Sequence, residues 1–104
     1  MGMNMQQMMR KAQKMQRDLA KAQEEIASMT FSGSAGGGMV KATVTGALEV
    51  TSITIDPEAI DPEDVEMLQD MTVAAVNEAI RAASSASNNR MSSVTGGMNI
   101  PGLF

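Results

Sequence analysis

Eight apolar side chains between residues 5 and 29 constrain the fold of this chain more than any other feature. Met5, Met8, Ala12, Met15, Leu19, Ala22, Ile26 and Met29 follow one another at spacings of 3, 4, 3, 4, 3, 4 and 3, and no Pro or Gly interrupts residues 4–28. A repeat averaging 3.5 residues puts all eight on one side of an α-helix, as a seam that needs a cover. A helix over residues 4–28 would be about 38 Å long at 1.5 Å of rise per residue.

The composition then shifts. "MTFSGSAGGGMVKATVTGALEVTSITID" is rich in Thr, Val and Ile. Residues 29–34 read as a short strand and Gly36, Gly37 and Gly38 as a loop tip. Residues 39–45 read as a second strand, with Val40, Ala42 and Val44 on one face and Lys41, Thr43 and Thr45 on the other. Gly46-Ala47 suits a tight turn in which Gly supplies the unusual φ. Residues 48–55 complete a three-stranded antiparallel meander. Two acidic turns follow, "DPEAI" and "DPEDV". In the second, Asp61 is a good helix N-cap and Pro62 a good first helical residue. Val65, Leu68, Thr72, Val76, Ala79 and Ala83 then share one face of a second helix that runs to about Arg90, its end weakened by "SSASNN". The expected fold is α+β, in the order α-β-β-β-α. A single domain spans residues 1–91, and 92–104 form a tail in a loop or partly disordered state.

The chain has 104 residues, 2 % aromatic content and twelve Met. Met fills gaps but specifies packing weakly, so help from a partner subunit is expected. The geometry agrees. A strand of eight residues spans about 26 Å, less than either helix. An overhanging apolar seam in water is unfavourable, and a homodimer is the economical cover.

The charge is uneven. The chain is acidic, with net charge −4 from eight basic and twelve acidic residues. Five of the eight basic residues fall in "RKAQKMQRDLAK", residues 10–21, beside one acid, Asp18; the rest of the chain therefore has three basic (8 − 5) and eleven acidic (12 − 1) side chains. Arg10, Lys14, Arg17 and Lys21 form a stripe opposite the apolar seam, about 16 Å long at helical rise, and Lys11 sits beside the seam. A solvated helix face is one reading of the stripe. Against it, Arg10–Lys14 and Arg17–Lys21 are like-charged i,i+4 pairs, and the basic residues precede Glu24-Glu25, the reverse of what the helix dipole favours. The other reading is a surface for a localised anionic partner. A cationic row on a rigid rod suits phosphate backbones, which carry no sequence information. Without an aromatic platform for single strands, the expected mode is duplex binding with little sequence selectivity.

Other signals point elsewhere. Gly33 and Gly38 in "GSAGGG" have phosphate-loop spacing, but Met39 stands where Lys is needed and a strand follows instead of a helix. Asp56, Glu58, Asp61, Glu63 and Asp64 are interrupted by Pro57 and Pro62, so turn and helix-entry chemistry explains them better than a cation loop. With no His, no Cys and no nucleophile–base pair, neither an enzyme nor a metal or cofactor site is expected, nor a small-molecule substrate. Arg81 and Arg90 lie nine apart, on opposite faces of the second helix. No long apolar run suggests a signal peptide or a membrane span, so a cytoplasmic location is expected.

Five stretches, "RKAQKMQRDLAKAQEEIA", "GSAGGGMVKATVTG", "ITIDPE", "DPEDVEMLQDMTVAAVNEAI" and "GGMNIPGLF", occur in an order that resembles the YbaB/EbfC family of bacterial nucleoid-associated proteins. The resemblance implies a tweezer-shaped homodimer whose helical arms contact duplex DNA and alter its conformation. It also implies a nucleoid location, with roles in nucleoid organisation and gene regulation. It carries the DNA contacts onto Arg10, Lys11, Lys14, Arg17 and Lys21. They fall more weakly on the second helix, where only Arg81 and Arg90 stand in a region often thick with charge. It also implies a thinner sheet core, because Ala42 replaces a common Val. The residues themselves leave two alternatives: a protein–protein adaptor using the Met-rich seam, and peripheral membrane attachment, which the lack of Trp and Phe on the helix disfavours.

Overall fold

The computed structural model describes residues 4–95. Helix α1, Met5–Ala27, is followed by strands β1, Thr30–Ala35, β2, Val40–Thr45, and β3, Val50–Ile55, then a 3-10 turn, Pro57–Ala59, and helix α2, Val65–Thr95. The strands form one antiparallel sheet in the order β1-β2-β3. This is the predicted α-β-β-β-α order, with strand ends one or two residues from those expected.

Asn4 starts α1 by accepting the Gln7 N–H on its side-chain oxygen at 2.8 Å, which satisfies one of the free amides of the first turn. The hairpin between β1 and β2 turns through Gly36, Gly37 and Gly38, all at positive φ (64°, 68° and 89°). L-residues with side chains rarely adopt three such conformations in succession.

The register gives the sheet two unlike faces. Phe31, Gly33 and Ala35 of β1 pair with Val44, Ala42 and Val40 of β2, which in turn pair with Val50, Ile53 and Ile55 of β3. Directly paired residues project to the same side, so these nine make one face. Ser32, Ser34, Lys41, Thr43, Ser52 and Thr54 make the other, which is polar. On the first face Val40, Ala42 and Val44 are fully buried against Ala75, Ala79 and Ala83 of α2. Small residues let the helix sit directly on the sheet. A Cβ added at Gly33 would collide with the Ala75 carbonyl and the Ala79 amide.

Four details differ from the sequence reading. Asp61 does not cap α2; it accepts the Glu63 N–H at 2.9 Å in a separate turn, and Asp64 accepts the Met67 N–H at 3.2 Å at the helix start. Val65 is exposed, and the buried face of α2 is centred on Ala75, Ala79 and Ala83, with Leu68, Met71, Val76 and Ile80 beside it. The positive φ of the turn after β2 belongs to Leu48 (65°) and not to Gly46. Gly46 serves a different need: it donates its N–H to the Met29 carbonyl at 3.1 Å, and a Cβ there would strike the Ile26 carbonyl. Finally, α2 continues past Arg90 to Thr95. The rest of the expected tail, residues 96–104, lies outside the described residues.

Candidate nucleic-acid interface

The two helices run antiparallel. Ile26 and Met29 lie beside Ala86 and Asn89, Ala22 and Glu25 beside Arg90 and Ser93, and Met15 and Asp18 beside Val94. Among the described residues α2 ends at Thr95, beside the middle of α1, and the first half of α1 extends past it. The seam records this. Ala22 and Ile26 are buried, Met15 and Leu19 half-buried, Ala12 exposed, and Met5 and Met8 are 79 % and 57 % exposed. Met29, after the helix, is exposed as well. The molecule is accordingly elongated, 73 × 25 × 16 Å, with the sheet and the start of α2 forming a body and α1 with the distal part of α2 forming an arm.

The basic residues of α1 lie on this arm. Arg10, Lys11, Lys14, Arg17 and Lys21 are all exposed. Helix geometry puts Arg10, Lys14, Arg17 and Lys21 in one row away from the seam, while Lys11 and Lys14 border an apolar groove that opens between α1 and Val94. Among the described residues the ion pair found is Arg90–Glu25, with the Arg90 Nη2 donating to the Glu25 Oε2 at 2.8 Å. None of the five cations of α1 takes part in one. Among the described residues their side chains are exposed and form no ion pair with a carboxylate.

Arg81 and Arg90 do not join the row. Arg81 is exposed farther back on α2, and Arg90 is held against Glu25 of the other helix. That pairing joins residues 65 apart in the chain, and nothing in the local sequence announces it. The acidic residues are concentrated at the opposite end, around the entry to α2. There Asp56, Asp61 and Asp64 each accept a backbone N–H two or three residues ahead, at 2.9, 2.9 and 3.2 Å. Among the described residues no group of three or more His, Cys, Asp or Glu is placed to hold a metal ion. No helix among them is long and apolar enough to cross a membrane. The described part of the chain thus has its basic residues gathered on the arm and most of its acidic residues on the body.

The chain is an α-β-β-β-α protein with an open three-stranded sheet, two long helices and a row of exposed basic residues on the first of them. The model of the YbaB/EbfC DNA-binding family matches residues 1–98, and the chain belongs to that family. Among its relatives is a nucleoid-associated protein of Pelotomaculum thermopropionicum, 53 % identical over 104 residues, covering 100 % of this chain and 99 % of the relative. Another, from Alkaliphilus metalliredigens, is 54 % identical over 101 residues, covering 97 % and 89 %. The fold is similar to the crystal structure of an uncharacterized protein from Helicobacter pylori, with a TM-score of 0.76 and 23 % identity over 91 % of this chain and 100 % of that one.

Proposed function

We propose that this protein binds duplex DNA through the outer face of α1, with little sequence selectivity, and does so as a homodimer. The observation that carries the reading is the row Arg10, Lys14, Arg17 and Lys21, exposed and without an ion-pair partner among the described residues, on a projecting helix of a chain in a DNA-binding family. Lysine and arginine at helical spacing neutralise successive phosphates and release counterions, a source of affinity that is indifferent to base sequence. The relatives named nucleoid-associated proteins support a role in nucleoid organisation. Altered DNA conformation and effects on gene expression follow where two rigid arms hold one duplex.

The homodimer reading rests on the sheet. α2 packs over β1 and β2, whereas Val50 and Ile53 of β3 project to the same side as Val44 and Ala42 yet remain 47 % and 43 % exposed. A second copy would cover these residues and the free edge of β3 together.

The deciding experiment is fluorescence anisotropy with a random-sequence duplex over a salt series, comparing the wild type with a variant combining Arg10→Gln, Lys14→Gln, Arg17→Gln and Lys21→Gln. The expected result is tight, steeply salt-dependent binding that weakens in the variant, with a log–log slope shallower by about 3.6 if each side chain meets one phosphate. Equal binding by the two proteins would end this reading. One observation favours a protein–protein adaptor as a second reading, the exposure of Met5, Met8 and Met9. Capture of a protein partner that survives molar salt would distinguish it.

A further inference from the structure

A groove at the start of α2, on the body, has a floor made by Met67, Met71 and Ala74, a side wall at Ala35 of β1, a rim of Asp64, Glu66 and Asp70, and a volume of about 370 Å³. We propose that it receives the basic face of α1 from a second copy, outside the dimer, so that dimers associate head to tail. The association does not depend on DNA binding.

Three observations support this occupant. The first is charge. Residues 56–70 contain seven acidic and no basic side chains, whereas residues 10–21 contain five basic and one acidic. The acids of the rim are exposed, and among the described residues neither they nor the cations of α1 take part in an ion pair. Asp64 is engaged at the helix start, where its carboxylate accepts the Met67 N–H, so Glu66 and Asp70 are the rim charges that a partner meets. The second is spacing. Glu66 and Asp70 stand four apart on α2, a like-charged pair that weakens its own helix. Arg10–Lys14 and Arg17–Lys21 are the same defect with opposite sign on α1. Each pair spans about 6 Å at helical rise, so two helices laid side by side match charge for charge. The third is reach. Asp70 precedes the end of α2 at Thr95 by 25 residues (95 − 70), about 38 Å at helical rise. The nine residues after Thr95 span at most about 32 Å, and the start of α1 is farther from the groove still. The occupant therefore comes from another chain. Ala35 places the groove on the flank of α2 away from β3, so a dimer formed through β3 leaves it open.

The chain as a whole is acidic, yet its patches can attract. At about 0.1 M salt the Debye length is about 10 Å, short against a molecule 73 Å long. Distant like charges are screened while facing patches still meet. Met67 and Met71 adapt to the stems of Arg and Lys side chains. The contact joins unlike surfaces, so it propagates as an open chain instead of closing. A few exposed ion pairs hold it weakly, and dilute solutions contain the dimer alone. On the reading above, a duplex competes with the groove for the same row.

Sedimentation equilibrium of the full chain without DNA tests the proposal, from micromolar to millimolar protein. In about 0.1 M salt the apparent mass should rise with concentration. In about 1 M salt, where the Debye length is about 3 Å, it should stay at the dilute value. Two variants reverse the charges: Glu66→Lys with Asp70→Lys in the groove, and Arg10→Glu with Lys14→Glu, Arg17→Glu and Lys21→Glu on the arm. Each alone should keep the dilute mass at every concentration. The two mixed should associate again, because each supplies the surface that the other lacks. Glu49→Lys with Glu58→Lys makes the same change of net charge away from the groove and should behave as the wild type. A wild-type mass that does not rise would overturn the proposal. So would loss of association in the variant altered at Glu49 and Glu58, its survival in the groove variant, or its absence from the mixture.

Discussion

The Arg90 guanidinium of α2 meets the Glu25 carboxylate of α1 at 2.8 Å, with the two side chains 47 % and 44 % exposed. This ion pair joins α1 and α2 along the stretch where the two helices run side by side. It also removes Arg90 from the cations open to a polyanion. Exposed pairs of this kind contribute up to about 1 kcal/mol. Arg90→Gln should therefore lower stability to urea by less than about 1 kcal/mol, an effect that shrinks in high salt. Its effect on the salt slope of DNA binding should be smaller than that of Lys14→Gln. A larger slope change for Arg90→Gln would place the DNA on α2 instead of α1.

Single neutralisations map the contact edge. Lys14→Gln or Arg17→Gln should each reduce the magnitude of the log–log salt slope by about 0.9. Lys41→Gln, on the polar face of the sheet, and Arg81→Gln, behind the arm, should leave it unchanged.

The dimer reading makes a paired prediction on β3. Ile53→Lys places a charge on the uncovered apolar face, and Thr54→Lys places the same charge on the polar face one residue away. Light scattering should give twice the 11.0 kDa chain mass for the wild type and Thr54→Lys, and a mass near that of the single chain for Ile53→Lys. Identical masses for the two variants would exclude that face of β3 as the interface.

Gly33 tests how closely the helix lies on the sheet. A methyl group there meets the backbone of Ala75 and Ala79, and backbone cannot rotate away as a side chain can. Gly33→Ala should destabilise the protein by about 1–3 kcal/mol, read from the denaturant midpoint. An unchanged midpoint would mean that α2 can lift from β1 at little cost.

Asp64, and not Asp61, accepts an amide at the start of α2. Asp64→Ala should lower the midpoint by the equivalent of about 1 kcal/mol. Asp61→Ala should cost less, because its turn precedes the helix. The reverse ranking would restore Asp61 as the cap.

The sequence by itself determined what depends on near neighbours: the extent of α1, the alternation of β2, the glycine hairpin tip, and the separation of basic stripe from apolar seam on α1. Each is written in a period or a residue type within a turn or two of where it acts. The tertiary structure decided the rest. α2 starts at Val65 because Asp61 closes a turn on Glu63 and Asp64 takes the amide at the helix start, and local signals do not rank two capping residues three apart. The helix outlasted "SSASNN" because packing of α1 against Ala86, Arg90 and Val94 supports a stretch of weak intrinsic propensity. The need for Gly at position 46 comes from the Ile26 carbonyl, twenty residues away in the chain, and the pairing of Arg90 from Glu25, sixty-five away. Contacts of that range are created by the fold, when α2 crosses the sheet and returns along α1, and no local pattern encodes them.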